Sequence, residues 1–399
     1  MTNAYTLADL ARELTRFGHD LRVLTTTPHY NLVADDLRWQ PMTPAKGQWL
    51  LQSDFEGIPC FHVRVPPVKG GMGRRIKTAL RFHTLGLMAA MGKAWDCDIV
   101  ISQSPPLSIG LVGSWIARRH GAKAVYIVQD VFPDGLIRQG KIRNPALIAL
   151  LRALERAVYR RSDAVCAISP GIAEVLRPRL PASTRLEVIP NFVNTDVYHP
   201  LPRDNDFSRA HGLTDRFVVS YVGNIGNAQD FSPVLATARA CRDLPITILM
   251  VGDGIKRAAL EAEAATESLT NIVFLGYQPR EVTPWINASS DVSLVLLAPH
   301  VGNYGFPSKI YTLMASGKPV LLLGDPASDI GRFVSEQWIG WVVPSGDAEA
   351  FVATVQCLYA ARDTLAPYGE RGVRAVEQQF TLPRVAERYD ELIRTLVGC

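Results

Sequence analysis

The chain has 399 residues, 47% of them hydrophobic and 20% charged, with 30 glycines and 27 prolines. That composition excludes disordered, collagen-like and coiled-coil architectures and leaves room for two or three globular domains. The formal net charge of +4 is uneven: residues 1–200 carry +9 and residues 201–399 carry −5, which suits either a front half facing an anionic surface or simple drift in surface composition.

No run reaches the ~18 consecutive apolar residues of a membrane span, and MTNAYTLADLARELTRFGHD lacks the basic and apolar regions of a signal peptide. Cys60, Cys97, Cys166, Cys241, Cys357 and Cys399 form no CxxC pair. A reducing, cytoplasmic setting is therefore expected.

In chain order, the first pattern is a helix over 6–17, capped by Thr2 or Asn3, with Ala4, Leu7, Leu10, Ala11 and Leu14 on one face. Strands follow at 21–25, 99–102, 124–128, 164–168 and 186–189, and a helix at 146–161. The second half predicts strands at 218–222, 247–251, 273–275, 292–296 and 319–323, with helices at 231–241, 256–267 and 307–316. Most strands are continuous apolar runs, as parallel strands covered on both faces should be. The rhythm implies an α/β protein of two doubly wound, Rossmann-like domains. The linker pattern lies in residues 194–215, rich in Pro, Asp and Asn. Residues 1–198 are read as the N-terminal domain and 199–380 as the C-terminal domain. Residues 381–399 are read as a helix returning toward the first. A doubly wound domain opens on a strand and a Gly-rich turn. Here the pattern opens on the helix, so the expectation is either a start placed too late or an N-domain without its first strand and the turn after it.

Glycines punctuate the strand ends of the second half: Gly223 and Gly226 in YVGNIGNAQD, Gly252 and Gly254 in VGDG, and Gly276 before Tyr277. One strand-end glycine is only a turn; several on successive parallel strands outline a cleft at the carboxyl ends, where backbone N–H groups can meet an anion. Pro307-Ser308-Lys309 then opens a further helix.

This order resembles the donor-binding half of family-4 retaining glycosyltransferases, which have the two-domain GT-B fold. LARELTRFGHDLRVLTTTPHYN and IPNFVNTDVYHP are similar to the family's first helix with second strand and to its interdomain signature. VQDVFPDGL, YVGNIGNAQD and PSKIYTLMASGKPVLLLG resemble the subgroup of L-fucosaminyltransferases of O-antigen synthesis and colanic-acid glycosyltransferases. The resemblance implies a nucleoside diphosphate sugar as donor, with UDP the expected nucleotide, and a glycan or polyprenyl-diphosphate-linked acceptor. It implies no cofactor, no required metal and no nucleic-acid partner.

Carried over by position, the family's Arg and Lys after the first Gly turn correspond to Asn224 and Gln229, and its paired glutamates to Tyr304 and Thr312. Positive charge for the diphosphate is therefore expected from Lys309, assisted by backbone N–H groups at Gly223–Gly226 and helix starts at Asp230 and Ser308. Gly252, Gly254, Gly276, Tyr277, Pro307, Ser308 and Thr312 complete the donor side. Asp130 and Asp134 are the N-domain candidates for the chemistry, and His29, Tyr30, Asn31 and Gln129 the acceptor side; turn and capping duties are the alternative for each. Asp96-Cys97-Asp98 spells DxD but precedes a strand and is read as a turn. The stretch from Lys69 through Arg74, Arg75, Lys77 and Arg81 to Leu85, Leu87, Met88 and Met91 suits docking on an anionic membrane, or else a core helix with a basic start. A sugar-nucleotide 2-epimerase of the same fold, or an inactive sugar-nucleotide-binding or scaffold protein, are the rival readings.

Overall fold

The computed structural model describes residues 2–29, 41–66, 72–92, 95–138, 140–299 and 305–398, with the side chains of 2–5, 72 and 75 left aside. The chain opens on helix α1 (Thr2–Arg16). Strands β1 (Val23–Thr26), β2 (Thr43–Lys46), β3 (Leu50–Phe55) and β4 (Ile58–Val63) form one sheet in the order β1-β4-β3-β2. β1 runs parallel to β4, while β2, β3 and β4 form an antiparallel meander. After α2 (Met72–Ala89), β5 (Ile99–Gln103), α3 (Ile109–His120), β6 (Lys123–Val128), β7 (Ala164–Ala167) and β8 (Arg185–Val188) follow. These four strands make a second, all-parallel sheet in sequence order.

The back half holds β9 (Phe217–Val222), β10 (Ile246–Val251), β11 (Ile272–Leu275), β12 (Val292–Leu296), β13 (Val320–Leu323) and β14 (Gly340–Val343). They form one parallel sheet ordered β11-β10-β9-β12-β13-β14. That is the doubly wound order, with its reversal between β9 and β12. β10, β12 and β13 are buried along their whole length, which explains why their sequences are uninterrupted apolar runs.

The ten expected strands all form. The sequence pattern passed over β2, β3 and β4 because they alternate or carry little apolar character: β2, Thr-Pro-Ala-Lys, is exposed throughout. β14 escaped notice because Gly340 and Trp341 interrupt its apolar run.

The two halves share a core. One apolar cluster runs from Val125 and Ile168 in the front half to Ile310, Tyr311 and Met314 in the back. It also takes in Val385, Tyr389 and Leu392 of the last helix, Leu382–Val397. That helix lies on α1: His19 Nε2 is 2.7 Å from Asp390 Oδ1, and Arg394 donates to the Phe17 carbonyl. Asp9 on α1 accepts from Arg280 of the back half at 2.8 Å. Val193 pairs with the chain at Thr381, its N–H donating to Phe380 O while Leu382 N–H returns to Val193 O.

Candidate active site

Parallel strands deliver their loops to one end, and the order reversal between β9 and β12 parts two loops there. The loop after β9 and the loop after β12 touch, Ala298 N–H donating to Ala228 O. Lys309 begins the helix Lys309–Ala315 beyond β12. Its Nζ sits 3.8 Å from the centre of the Tyr221 ring, and 3.0 Å from where a side chain on Gly223 would start. Gly223, at φ +149, is therefore the residue that leaves this ammonium room. No carboxylate pairs with Lys309 among the described residues, and burial pulls its pKa down to about 7. A half-buried ammonium over an aromatic face, with no carboxylate partner among the described residues, suits an anionic group.

The Gly turns are rigid for a reason beyond flexibility. A Cβ on Gly252 would run into the Gly223 carbonyl, and one on Gly254 into that of Ile225. Such close approach lets the loops bond: Gly223 N–H to Val251 O, Ile225 N–H to Asp253 O and Lys256 N–H to Ile225 O. Gly226 N–H donates to Gln229 Oε1 at 3.2 Å. This corrects the expectation that the N–H groups of Gly223–Gly226 would hold the diphosphate. Gly223, Ile225 and Gly226 spend theirs on the protein. Nor is the start at Asp230 open, since its carboxylate already accepts from Ser232 N–H and Oγ. The burden on Lys309 increases accordingly.

Asn224 gives its carbonyl to the Tyr221 hydroxyl at 2.7 Å, fixing the ring beneath the lysine. Thr312 Oγ1 bonds back to Lys309 O at 2.8 Å, a local helical contact. Pro307 and Ser308 are half-buried. Tyr277 is 45% exposed, its N–H directed at Asp253 Oδ2, and Gly276 lies under the Arg257 guanidinium. Tyr304 lies outside the described residues. Sequence reasoning missed Tyr221, Lys256 and Arg257. Lys256 Nζ donates to Gln229 O at 3.0 Å, and Arg257 Nη1 to Gly252 O and Asp253. The basic pair one residue past VGDG, after Ile255, was the available signal.

From the front half, Asp130 enters the same cleft, where it forms a bridge with Gly305 across the domain boundary. A Cβ on Gly305 would lie 2.8 Å from Asp130 Oδ1. Asp130 is exposed overall, yet desolvation around its carboxyl raises that group's pKa. Asp134 is placed differently. It is buried, with Arg152 at 3.0 Å and Arg179 at 2.6 Å on its two oxygens, and Arg179 also reaches Glu155. Asp134 thus belongs to an ion-pair cluster rather than to the cleft, and we withdraw it as a group available to substrate. Gln129 exchanges both amide bonds with Asn191, at 3.1 and 2.9 Å. This pair ties the Asp130 loop to the start of the interdomain segment, and Gln129 N–H is held by Ser104 Oγ. His29 Nδ1 is 3.0 Å from Thr27 O and 3.1 Å from Thr26 Oγ1; Tyr30 and Asn31 lie outside the described residues. Asp96 of the DxD pairs with His120 at 2.9 Å.

Two family models divide the chain at the same place as its sheets. The glycosyl transferase 4-like domain matches residues 3–191, and glycosyl transferases group 1 matches 216–361. The chain belongs to the family-4 glycosyltransferases of the GT-B fold. It is similar to the colanic acid biosynthesis glycosyl transferase WcaI of Escherichia coli K12, 26% identical over 89% of this chain and 88% of WcaI. It is also similar to the glycosyltransferase WbjE of Pseudomonas aeruginosa, 25% identical over 65% of each chain; the match thus spans just under two thirds of WbjE. Among solved structures, HepE of Anabaena in complex with UDP and glucose superposes with a TM-score of 0.71 at 15% identity, covering 98% of this chain and 95% of HepE.

Proposed function

We infer that this glycosyltransferase moves a sugar from a UDP-sugar to a glycan or polyprenyl-diphosphate-linked acceptor in surface-polysaccharide synthesis, with retention of configuration. The single observation carrying the reading is the Lys309 ammonium over Tyr221, without a carboxylate partner among the described residues, at the switch point of the donor-side sheet. A leaving diphosphate gains negative charge as the sugar–oxygen bond breaks, and a cation already desolvated and fixed in place stabilises it without reorganising. The acceptor hydroxyl attacks the anomeric carbon from the face the diphosphate leaves, and its proton passes to a phosphate oxygen. Asp130, on the opposite wall, orients that hydroxyl. HepE, whose complex contains UDP and glucose, supports the nucleotide, and WcaI supports the pathway class.

The acceptor side suits a lipid surface. On α2, Ile76, Leu80 and Met88, with Met91 just beyond, are 50–57% exposed beside the exposed Arg74, Lys77 and Arg81. The stripe differs from the one first expected: Leu85 and Leu87 pack inward, and Ile76 and Leu80 take their place. Basic and apolar residues on one face favour an anionic leaflet. No helix among the described residues is long and apolar enough to cross a membrane. The 2-epimerase and scaffold readings are not favoured by the family assignment.

The test is UDP release from a panel of UDP-sugars with a membrane extract as acceptor. Sugar appearing in the lipid fraction supports the reading; release of UDP from none of them defeats it.

A further inference from the structure

Away from the cleft, the outer edge of the back sheet carries a side chain that packing does not explain. The helix Asp329–Glu336 leaves the loop after β13 and returns to start β14, which runs parallel to β13. Its end therefore lies at the amino ends of the strands, opposite the cleft. The helix stops by a left-handed turn: Trp338 N–H donates to Ser335 O and Ile339 N–H to Val334 O. Ile339 and Val334 are both fully buried, as this stop favours. The residue that turns left-handed in it is by preference glycine. Here it is Trp338, at φ +52, a costly backbone for a bulky residue. Its side chain is 65% exposed. Among the described residues, it is the one large apolar side chain between Trp285 and Val397 that the fold leaves exposed.

The strain is gripped rather than relieved. Trp341 of β14 packs on the core of the back sheet, and Tyr368 stacks on it with ring centres 4.2 Å apart. The Arg371 guanidinium lies 4.7 Å from the centre of the Tyr368 ring. Arg371 Nε then donates to the Trp338 carbonyl at 2.7 Å. A chain of contacts from the core thus fixes the strained peptide, while the indole stays in solvent. An outlier held in place at a surface points to use, and a ring already fixed loses little freedom on binding.

We propose that Trp338 is the platform of a second glycan-binding site, which holds a sugar chain away from the cleft. The surroundings select the ligand. A second copy or another protein needs a contiguous patch of about 800 Å² on each side. One indole among the exposed Ser335, Glu336, Glu370 and Arg374 offers nothing of that size. The carboxylates of Glu336 and Glu370 would be repelled by an anionic leaflet. A pyranose fits, because its C–H face covers one aromatic ring and its hydroxyls find partners in the flanking Glu336 and Gln337. A chain held here stays tethered to its catalyst, so its end meets the cleft at raised effective concentration. The choice of a sugar rests on membership of the glycosyltransferase family, and the site takes no part in the transfer step.

The test is affinity electrophoresis of the whole chain in native gels cast with dextran, mannan, galactan or the cell-surface polysaccharide of the source organism. At least one should retard the parent protein. Trp338→Gly should weaken that binding by roughly tenfold or more, the scale of losing one aromatic anchor. Glycine adopts this φ freely, so the variant should keep or raise the melting temperature and keep its UDP affinity. Trp338→Phe, which retains a ring, should keep part of the retardation. No retardation by any of the four overturns the proposal, as does equal retardation of the parent and Trp338→Gly. A dimer of the parent that Trp338→Gly abolishes, read by sedimentation, also overturns it, because a second copy then covers the ring. UDP release plays no part in the readout, so failure of the transfer reading leaves this test intact.

Discussion

The two sheet systems are closed to different degrees. The back sheet is continuous, its central strands buried, and its Gly turns interlock so tightly that a methyl group would break them. The front sheet is split, its inner edges half-exposed, and it carries the outward apolar helix. Under the proposed function the donor diphosphate meets the interlocked turns of the back sheet, where Lys309 is fixed over Tyr221. An acceptor that is long or membrane-borne needs an open wall. The contrast teaches where charge matters most: in the acidic half Lys309 has no carboxylate partner among the described residues, while in the basic half Arg152 and Arg179 are held in ion pairs.

The most disruptive test strikes the buried pair cluster of the front half. Asp134→Ala leaves Arg152 and Arg179 facing a lost carboxylate, and should destabilise the fold by about 3 kcal/mol, read as a lower denaturant midpoint. UDP binding by the protein that remains folded should persist; loss of binding at unchanged stability would return Asp134 to the site.

Lys309→Ala should lower turnover by a factor of ~100, typical of removing one transition-state donor, with the melting temperature held or raised because a desolvated ammonium is gone. Turnover within a factor of two of the parent would remove Lys309 from the mechanism. The same lysine sets a pH dependence. Its folded pKa, about 7, lies below the 10.5 of the unfolded chain. Between these values the unfolded state binds more protons, so this group's penalty on stability is full below pH 7 and fades as pH rises toward 10.5. Diphosphate binding needs the protonated form. UDP affinity should therefore fall up to about tenfold per pH unit above 7, with proton uptake on binding seen by calorimetry in two buffers of unequal ionisation heat. A flat profile between pH 7 and 9 would contradict this.

Asp130→Asn should cost roughly tenfold in kcat, at the low end for a positioned polar group, with little change in donor KM. Smallest of all, Ile76→Glu with Leu80→Glu should reduce binding to anionic vesicles several-fold and leave UDP affinity unchanged. Equal vesicle binding by both proteins would move the membrane contact elsewhere.

Fold and site were not equally legible. The ten expected strands announced themselves as apolar runs, most plainly β6, β7, β10, β12 and β13, where burial on both faces demands uninterrupted apolar residues. The β2–β3–β4 meander did not, because a strand with one wet face needs only alternation. Lys309 stood out as a cation beside a helix start in a Gly-rich half. What it rests on did not: Tyr221 lies 88 positions earlier, and only the pairing of β9 with β12 brings the two together. Asp130 and Asp134 looked equivalent four residues apart. Their separation depends on Arg152 and Arg179, contacts that no local pattern encodes.

The apolar cluster that joins Val125 and Ile168 to Tyr311 and Leu392 has a consequence for how the molecule comes apart. Cutting the connecting segment at His199 and Pro200, both exposed, should leave both fragments bound. Heating the nicked protein should give one cooperative calorimetric peak rather than two. The molecule is two domains by topology and one unit by melting, so the cleft between them is braced by oil, with the Asp9–Arg280 pair as its polar rivet.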